Sequence, residues 1–436
     1  MNYLYYINNN LTRELYQYEF FSILSLSITQ EYNNIIIFCK NIIKGKFYEY
    51  LNKNITINFK IFKNEMNIEY IINLLKISNI SGIYIKNNVI FFNKIDKILE
   101  NDYFNISNNF IYIKNNMFSK NEYNYENYNI KIIDSFDDIM NNIYDYNYET
   151  YFNYIKYDLI CINNNIQKSH VDFNNKQINI LKLFYINIIS KLKINDKNGN
   201  FNLINNIDMI YWINLEKSKN RKNNMIKILD NINNKNKRID AIDGSIIENI
   251  KDKYFFGDVI SNNSNKEYST ILSHLNAIEE YKSLEYIKFG VSIICEDDLS
   301  LDFFKYWEYN LENIIKDAPN DWEIIMLSYF TLDIKFKNNY RKWDNDWSAA
   351  CYLIKHSCLN KLDEIKNNKK YKSFEDVMVA DNYLFRIFNT YLYKNPYFTF
   401  PEENNSTIHD YHLEYHKLYK NINKIILNKN ITEIII

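Results

Sequence analysis

The run Gly290-Val-Ser-Ile-Ile-Cys-Glu-Asp-Asp-Leu-Ser300 constrains the fold more than any other stretch. Val291 to Cys295 is an apolar, β-branched run behind a glycine, which predicts a strand buried on both faces, as in a mostly parallel sheet. It stops abruptly at Glu296, Asp297 and Asp298. In open α/β sheets ligands bind beyond the carboxyl ends of strands, so these acids are expected to face a crevice. Three adjacent carboxylates repel one another unless a cation lies among them, and Mg2+ or Mn2+ prefers such hard oxygens combined with water or phosphate oxygens. The motif therefore reads as a divalent cation carrying a diphosphate, or more plainly as a solvated acidic turn, and both readings stay open on these residues alone.

At 436 residues the chain can build two or three cored domains. Its 52 basic and 53 acidic residues argue against a nucleic-acid footprint and a polybasic membrane patch. Tyr 40 beside Gly 6 and Pro 3 suggests a very AT-rich genome, such as that of a giant virus or a protist, so each surviving Gly, Pro, Trp or Arg is informative. Cys39, Cys161, Cys295, Cys351 and Cys358 form no C-x-x-C pair, and most lie in apolar runs. Buried reduced thiols are expected, hence a reducing compartment: cytoplasm, or host cytoplasm or virion for a viral protein. No leader is visible at Met1 and no apolar run is long enough to span a membrane.

The first half alternates helical and strand patterns: a helix over Leu15 to Ile28, strands at 34–39 and 55–62, a helix at 68–77. Such alternation predicts βαβ units. Ser81-Gly82-Ile83-Tyr84, with the apolar continuation Val89 to Leu99, resembles the sugar-binding DxD glycosyltransferases of the yeast mannosyltransferase kind. Lys86 and Asn88 stand where that family carries its metal-binding acids, and Glu69 where an Arg is usual. An ammonium and an amide cannot replace two carboxylates around a divalent ion. Residues 1–195 are thus expected to form a degenerate glycosyltransferase-like domain, or an unrelated α/β domain, without catalysis in either case. The polar, glycine-containing stretch at 196–206 reads as a linker. All five Trp, all three Pro and five of six His follow residue 200, which marks a second domain.

That domain opens on Ile207-Asp-Met-Ile-Tyr-Trp-Ile-Asn-Leu-Glu216, a buried strand and polar turn leading to Arg221; amides and a guanidinium there could dock an anionic nucleotide. Arg238-Ile-Asp-Ala-Ile-Asp-Gly-Ser245 reads as an edge segment closing in an Asp243-Gly244 turn. Glu267 to Tyr281 reads as a helix with Leu272, Leu275, Ile278 and Tyr281 on one side, flanked by Ser273 and His274. The order I-N-L-x(5)-R, A-x-D-G, S-H-L and E-D-D resembles glycosyltransferase family 25, the lipopolysaccharide and collagen galactosyltransferase type. Asp321 to Ser328, Trp347 to Ile354, Val379 to Leu384 and Pro401 to Ile408 continue the likeness, which covers about 207–410. The departures are Ser348-Ala349-Ala350 where a Gly-Thr or Gly-Ala pair is usual, Ala380 for a Pro, and a missing late Gln. Residues 411–436 read as a C-terminal tail.

The resemblance implies two GT-A-like α/β domains in tandem, Rossmann-like and each on a mostly parallel mixed sheet, the first degenerate, and a Mn2+- or Mg2+-dependent hexose transfer from a UDP-sugar to a hydroxyl of a glycan or of collagen-like hydroxylysine, with inversion. It implies Glu296, Asp298 and a late His409 as metal ligands, Asp297 with Asn214, Leu215, Arg221, Asp243, Gly244, Ser273 and His274 around the donor, and Asp381 as the base, with Glu375 and Asp376 as alternatives. His274 also reads as a helix-surface group or as one that supports a ligating residue from behind, His409 as a solvated loop residue, Asp381 as a helix cap, and Trp347 and Tyr352 as core or as stacking platforms. A homodimer is compatible with these readings. Two other functions compete: a non-catalytic sugar-binding scaffold supporting another transferase, and a metal-dependent phosphohydrolase, which would need acids from several strand ends.

Overall fold

The structure is a computed structural model. It describes residues 2–7, 11–30, 35–55 and 57–61, the strands within 82–162, and from 180 onward everything but 233–234, 258–262, 337, 375–378, 402–411 and 436. The chain divides into two compact units, residues 1–193 with 430–436 and residues 194–429.

In the first unit, apolar β-branched runs become the strands Ile35–Cys39 and Ile57–Ile61 with the helix Lys46–Asn54 between them. The sheet runs in the order Ile57–Ile61, Ile35–Cys39, Asn2–Ile7, Gly82–Lys86, Phe110–Ile113, Tyr103–Ser107. Its first four strands are parallel; Phe110–Ile113 runs antiparallel to them and Tyr103–Ser107 pairs antiparallel with it in turn. The helix Gln17–Gln30 buries Phe20, Phe21, Ile23 and Leu24, and with them Glu19. A buried carboxylate requires a partner, and Arg13 supplies a forked one, its two Nη atoms 2.8 and 2.6 Å from the Glu19 oxygens. The expected helix at 68–77, with Glu69, and Asn88 lie outside the described residues; Lys86 ends its strand.

The second unit is built on a seven-stranded sheet in the order Asn236–Asp240, Ile210–Asn214, Val291–Glu296, Trp347–Lys355, Ile324–Phe330, Thr390–Tyr393, Tyr340–Lys342. The sheet is mixed, as expected, and only the expectation of parallel neighbours on both sides of Val291–Glu296 is corrected. Val291–Glu296 is parallel to Ile210–Asn214 but antiparallel to Trp347–Lys355, and the sheet stays mixed beyond. Burial on both faces is nonetheless real for Val291 to Cys295, because each face has its own cover. On one face lies the helix Asn265–Lys282, started by a reciprocal cap between Ser264 and Glu267 and burying Leu272, Leu275, Ile278 and Tyr281. On the other, Trp212, Met225, Ile228, Leu299, Trp307 and Trp322 form the main core.

Two boundary readings change. The stretch read as a linker packs against the second unit instead of tethering it: the Lys197 N–H donates to the Lys305 carbonyl at 2.7 Å, and the Phe201 and Phe304 rings meet at 4.5 Å. A Cβ on Gly199 would fall 1.7 Å from the Phe304 carbonyl oxygen, so only glycine allows that approach. The segment read as a tail contains the helix His412–Leu427, whose Tyr419 stacks on Phe330 at 4.6 Å and whose Asn423 donates to the Tyr329 carbonyl. Among the described residues no helix is long and apolar enough to cross a membrane. Cys39, Cys295, Cys351 and Cys358 are buried free thiols.

Candidate active site

Three parallel strands end at one edge of the second sheet, with Asp240 opposite Asn214 and Glu296 opposite Ile213. The acids therefore emerge where the sequence expected them, and each meets a different environment. Glu296 lies 3.0 Å from Nε2 of His274, a ring with no exposed surface, and His274 Nδ1 lies 3.2 Å from the Tyr352 hydroxyl. Both contacts are satisfied when Nε2–H donates to Glu296 and the Tyr352 hydroxyl turns to suit Nδ1. Burial alone would raise the Glu296 carboxyl, but the His274 hydrogen bond and charge, with Arg221 and His416 beyond, outweigh it and hold it below the usual glutamate value. His274 is thus buried behind Glu296 and not on the helix surface, which leaves the reading of it as a group supporting a neighbour.

Asp297 turns the other way. It accepts from Asn214 Nδ2 at 2.5 Å and from Arg221 Nη1 at 3.0 Å, while Asn214 Oδ1 accepts from Arg238 Nε at 2.9 Å. Burial raises its carboxyl even so, against the pull of Arg221 and Asn214. Asn214, Arg221 and Asp297, expected around a donor, are thus brought together, but by one another. Leu215 is half-buried at the turn, its carbonyl accepting from the Ser218 N–H.

Asp298 is the least satisfied of the three acids among the described residues. Its Oδ2 lies 3.6 Å from Arg221 Nη1, and its Oδ1 is buried with no hydrogen-bond partner among the described residues. Burial and the neighbouring Glu296 push its carboxyl up to about 7. An orphaned carboxylate oxygen beside a second carboxylate is a place where a cation lowers the energy. Among the described residues no three His, Cys, Asp or Glu side chains form a ready metal cluster. Two carboxylates nevertheless fit Mg2+ or Mn2+, which commonly completes its shell with water and substrate phosphate.

Asp381 is the second residue of the helix Ala380–Ile387, and the cap position belongs to Val379. Rather than capping, Asp381 reaches across to the sheet, its Oδ2 accepting from the Ser348 N–H at 2.7 Å. Ser348 adopts φ +95, a conformation that favours glycine, where the pairing of its strand with Ile324–Phe330 slips register. This is the place of the Gly-Thr departure, so the serine keeps a glycine-like backbone at a cost in strain. Burial raises the Asp381 carboxyl; the Ser348 bond opposes this, and Glu296 nearby adds to it.

Asp243, Gly244 and Ser273 form a neighbouring, self-satisfied turn. Asp243 accepts from Ser245 and pairs with Lys217 at 2.5 Å, which with Ser245 draws its carboxyl down to about 2. A Cβ on Gly244 would come 2.4 Å from the Asn265 carbonyl oxygen, so close approach to the long helix demands the glycine. The Ser273 hydroxyl accepts from the Ile242 N–H and donates to the Ser269 carbonyl, so it fastens the turn to the helix. His409, Glu375 and Asp376 lie outside the described residues.

One feature escaped sequence reasoning: His416 is buried against Phe330 and Phe400 near enough for its charge to act on Glu296. A polar stripe at helical spacing, His416, Lys420, Asn423, was the available signal for it. Of the two aromatics read as core or as stacking platforms, Tyr352 is fully buried and Trp347 is 54% exposed. Arg221 also walls a cavity of about 860 Å3, together with Asn220, Asn224, Asp302, Lys420 and Lys424; Lys420 is paired with Asp302. Comparison with known protein families and with curated proteins gives no match.

Proposed function

We propose that the second unit is a metal-dependent glycosyltransferase that moves a hexose from a UDP-sugar to a hydroxyl acceptor with inversion. The observation that carries this reading is the pair Glu296 and Asp298 at a strand end, with Asp298 Oδ1 buried and without a hydrogen-bond partner among the described residues. Glu296 and Asp298 would hold the cation, which when bound supplies positive charge against the departing diphosphate. His274 and Tyr352 orient Glu296 from behind, and the Asn214, Arg221 and Asp297 clasp fixes the opposite flank. Asp381, anchored by Ser348, would take the acceptor proton as the acceptor oxygen bonds to the sugar anomeric carbon and the bond to the diphosphate breaks. The electron pair of that bond leaves with the diphosphate. The UDP-sugar donor rests on the family resemblance alone.

The test is a panel of UDP-sugars with and without Mn2+, run on the full chain and on Asp298→Asn. Removing one charge from the cation's ligands should lower donor turnover by ~10²-fold or more. Wild-type turnover in that variant would sink the assignment, and donor binding without any turnover would favour the sugar-binding scaffold.

A further inference from the structure

Trp212, Trp307 and Trp322 are buried, and Trp343 is half-buried with its indole N–H donating to the Asp346 carbonyl at 2.8 Å. Trp347 differs: more than half its surface faces water. An indole so exposed forgoes most of the stabilisation its burial would bring, so the fold itself gives no reason for it. Its location does. Trp347 is bonded directly to Ser348, whose N–H sits 2.7 Å from Asp381 Oδ2. Backbone geometry then puts the Trp347 Cα within about 5 Å of that carboxylate. Cys295 opposes Cys351 in the antiparallel ladder, so Asp298, three residues beyond Cys295, and Ser348, three before Cys351, run to the same end of the sheet. The strained φ of Ser348 is the local device that joins the tryptophan-bearing strand to Asp381.

Building on the glycosyltransferase reading, we infer that Trp347 is an acceptor platform and that the acceptor is a saccharide. A pyranose ring has an apolar face of C–H groups and a polar rim, which suits an exposed indole: the face stacks and the rim hydroxyls stay free. A rigid two-torsion side chain gives such contact at little entropic cost. A sugar seated there presents a rim hydroxyl towards Asp381. A hydroxylysine side chain has no flat apolar face and would draw little from the platform.

The test has two arms. In the first, the full chain is titrated with lactose, cellobiose and maltose while indole fluorescence is followed. A saturable change in the wild type that is lost in Trp347→Ala supports the inference; no change with any of them, or the same change in the variant, overturns it. In the second, transfer is measured with Mn2+, the active UDP-sugar and the disaccharide that binds. Trp347→Ala should raise the acceptor KM by ~10-fold or more with a smaller effect on kcat, and Trp347→Phe should recover much of the loss. An unchanged KM, or a preference for a hydroxylysine peptide that the substitution leaves alone, overturns it. Saccharide binding through Trp347 without any turnover would defeat the transferase reading while leaving the saccharide site standing.

Discussion

The two units contain the same four-strand arrangement and end it differently. In the first, Asn2–Ile7 lies between the parallel strands Ile35–Cys39 and Gly82–Lys86, and the latter then pairs antiparallel with Phe110–Ile113. In the second, Ile210–Asn214 lies between the parallel strands Asn236–Asp240 and Val291–Glu296, and the latter then pairs antiparallel with Trp347–Lys355. Lys86 opposes Tyr6, one residue before the end of the first strand, as Glu296 opposes Ile213, one before Asn214. A scaffold of this kind delivers whatever residue ends the strand to the same edge, so the chemistry is decided by a few terminal side chains and not by the sheet. One unit ends that strand on Lys86, the other on Glu296 with two further acids behind it.

The largest effect that would sharpen this contrast is expected at Asp381. Asp381→Asn keeps an oxygen for the Ser348 N–H but removes the proposed proton acceptor, so turnover should drop by ~10²- to 10⁴-fold while the melting temperature moves little. Unchanged turnover would leave Asp381 as a clamp on Ser348 and pass the role of base to another acid, Glu375 or Asp376.

A smaller effect is thermodynamic. Asp298 has its folded-state carboxyl pushed up to about 7 from an ordinary value near 4, so the folded state holds this proton more tightly than the unfolded chain. Its ionisation therefore costs stability progressively as pH rises from about 4 through 7, and the full cost is present at pH 8. Asp298→Asn should raise the melting temperature at pH 8, without added metal, by roughly 3–6 °C, and this gain should shrink towards pH 5. A difference that does not vary with pH would show that Asp298 is not held against its own charge. The same substitution abolishing turnover while stabilising the fold would mark Asp298 as a functional residue retained at a stability cost.

The smallest expected effect is at Lys86. Lys86→Ala should leave donor turnover within about twofold, since an ammonium at that strand end cannot stand in for a metal ligand. A tenfold loss would break the division between the two units.

Much of the local structure was legible in the residues because it depends on near neighbours. The apolar run Val291 to Cys295, the acids that stop it, the helix over 267–281 and the alternating elements of residues 15–61 all follow from periodicity and chain punctuation. Strand direction was not legible: burial on both faces reports what covers a sheet, and a helix on one side and a tryptophan-rich core on the other cover an antiparallel neighbour as well as a parallel one. Nor could the sequence show that Asp297 would be consumed by Asn214 and Arg221, 83 and 76 positions away, while Asp298 next to it would keep an oxygen with no partner among the described residues. Three like residues in a row have one composition and one local propensity. Their different fates are set by the alternation of side chains at a strand end and by which distant partner each one meets, and only the folded chain supplies those partners.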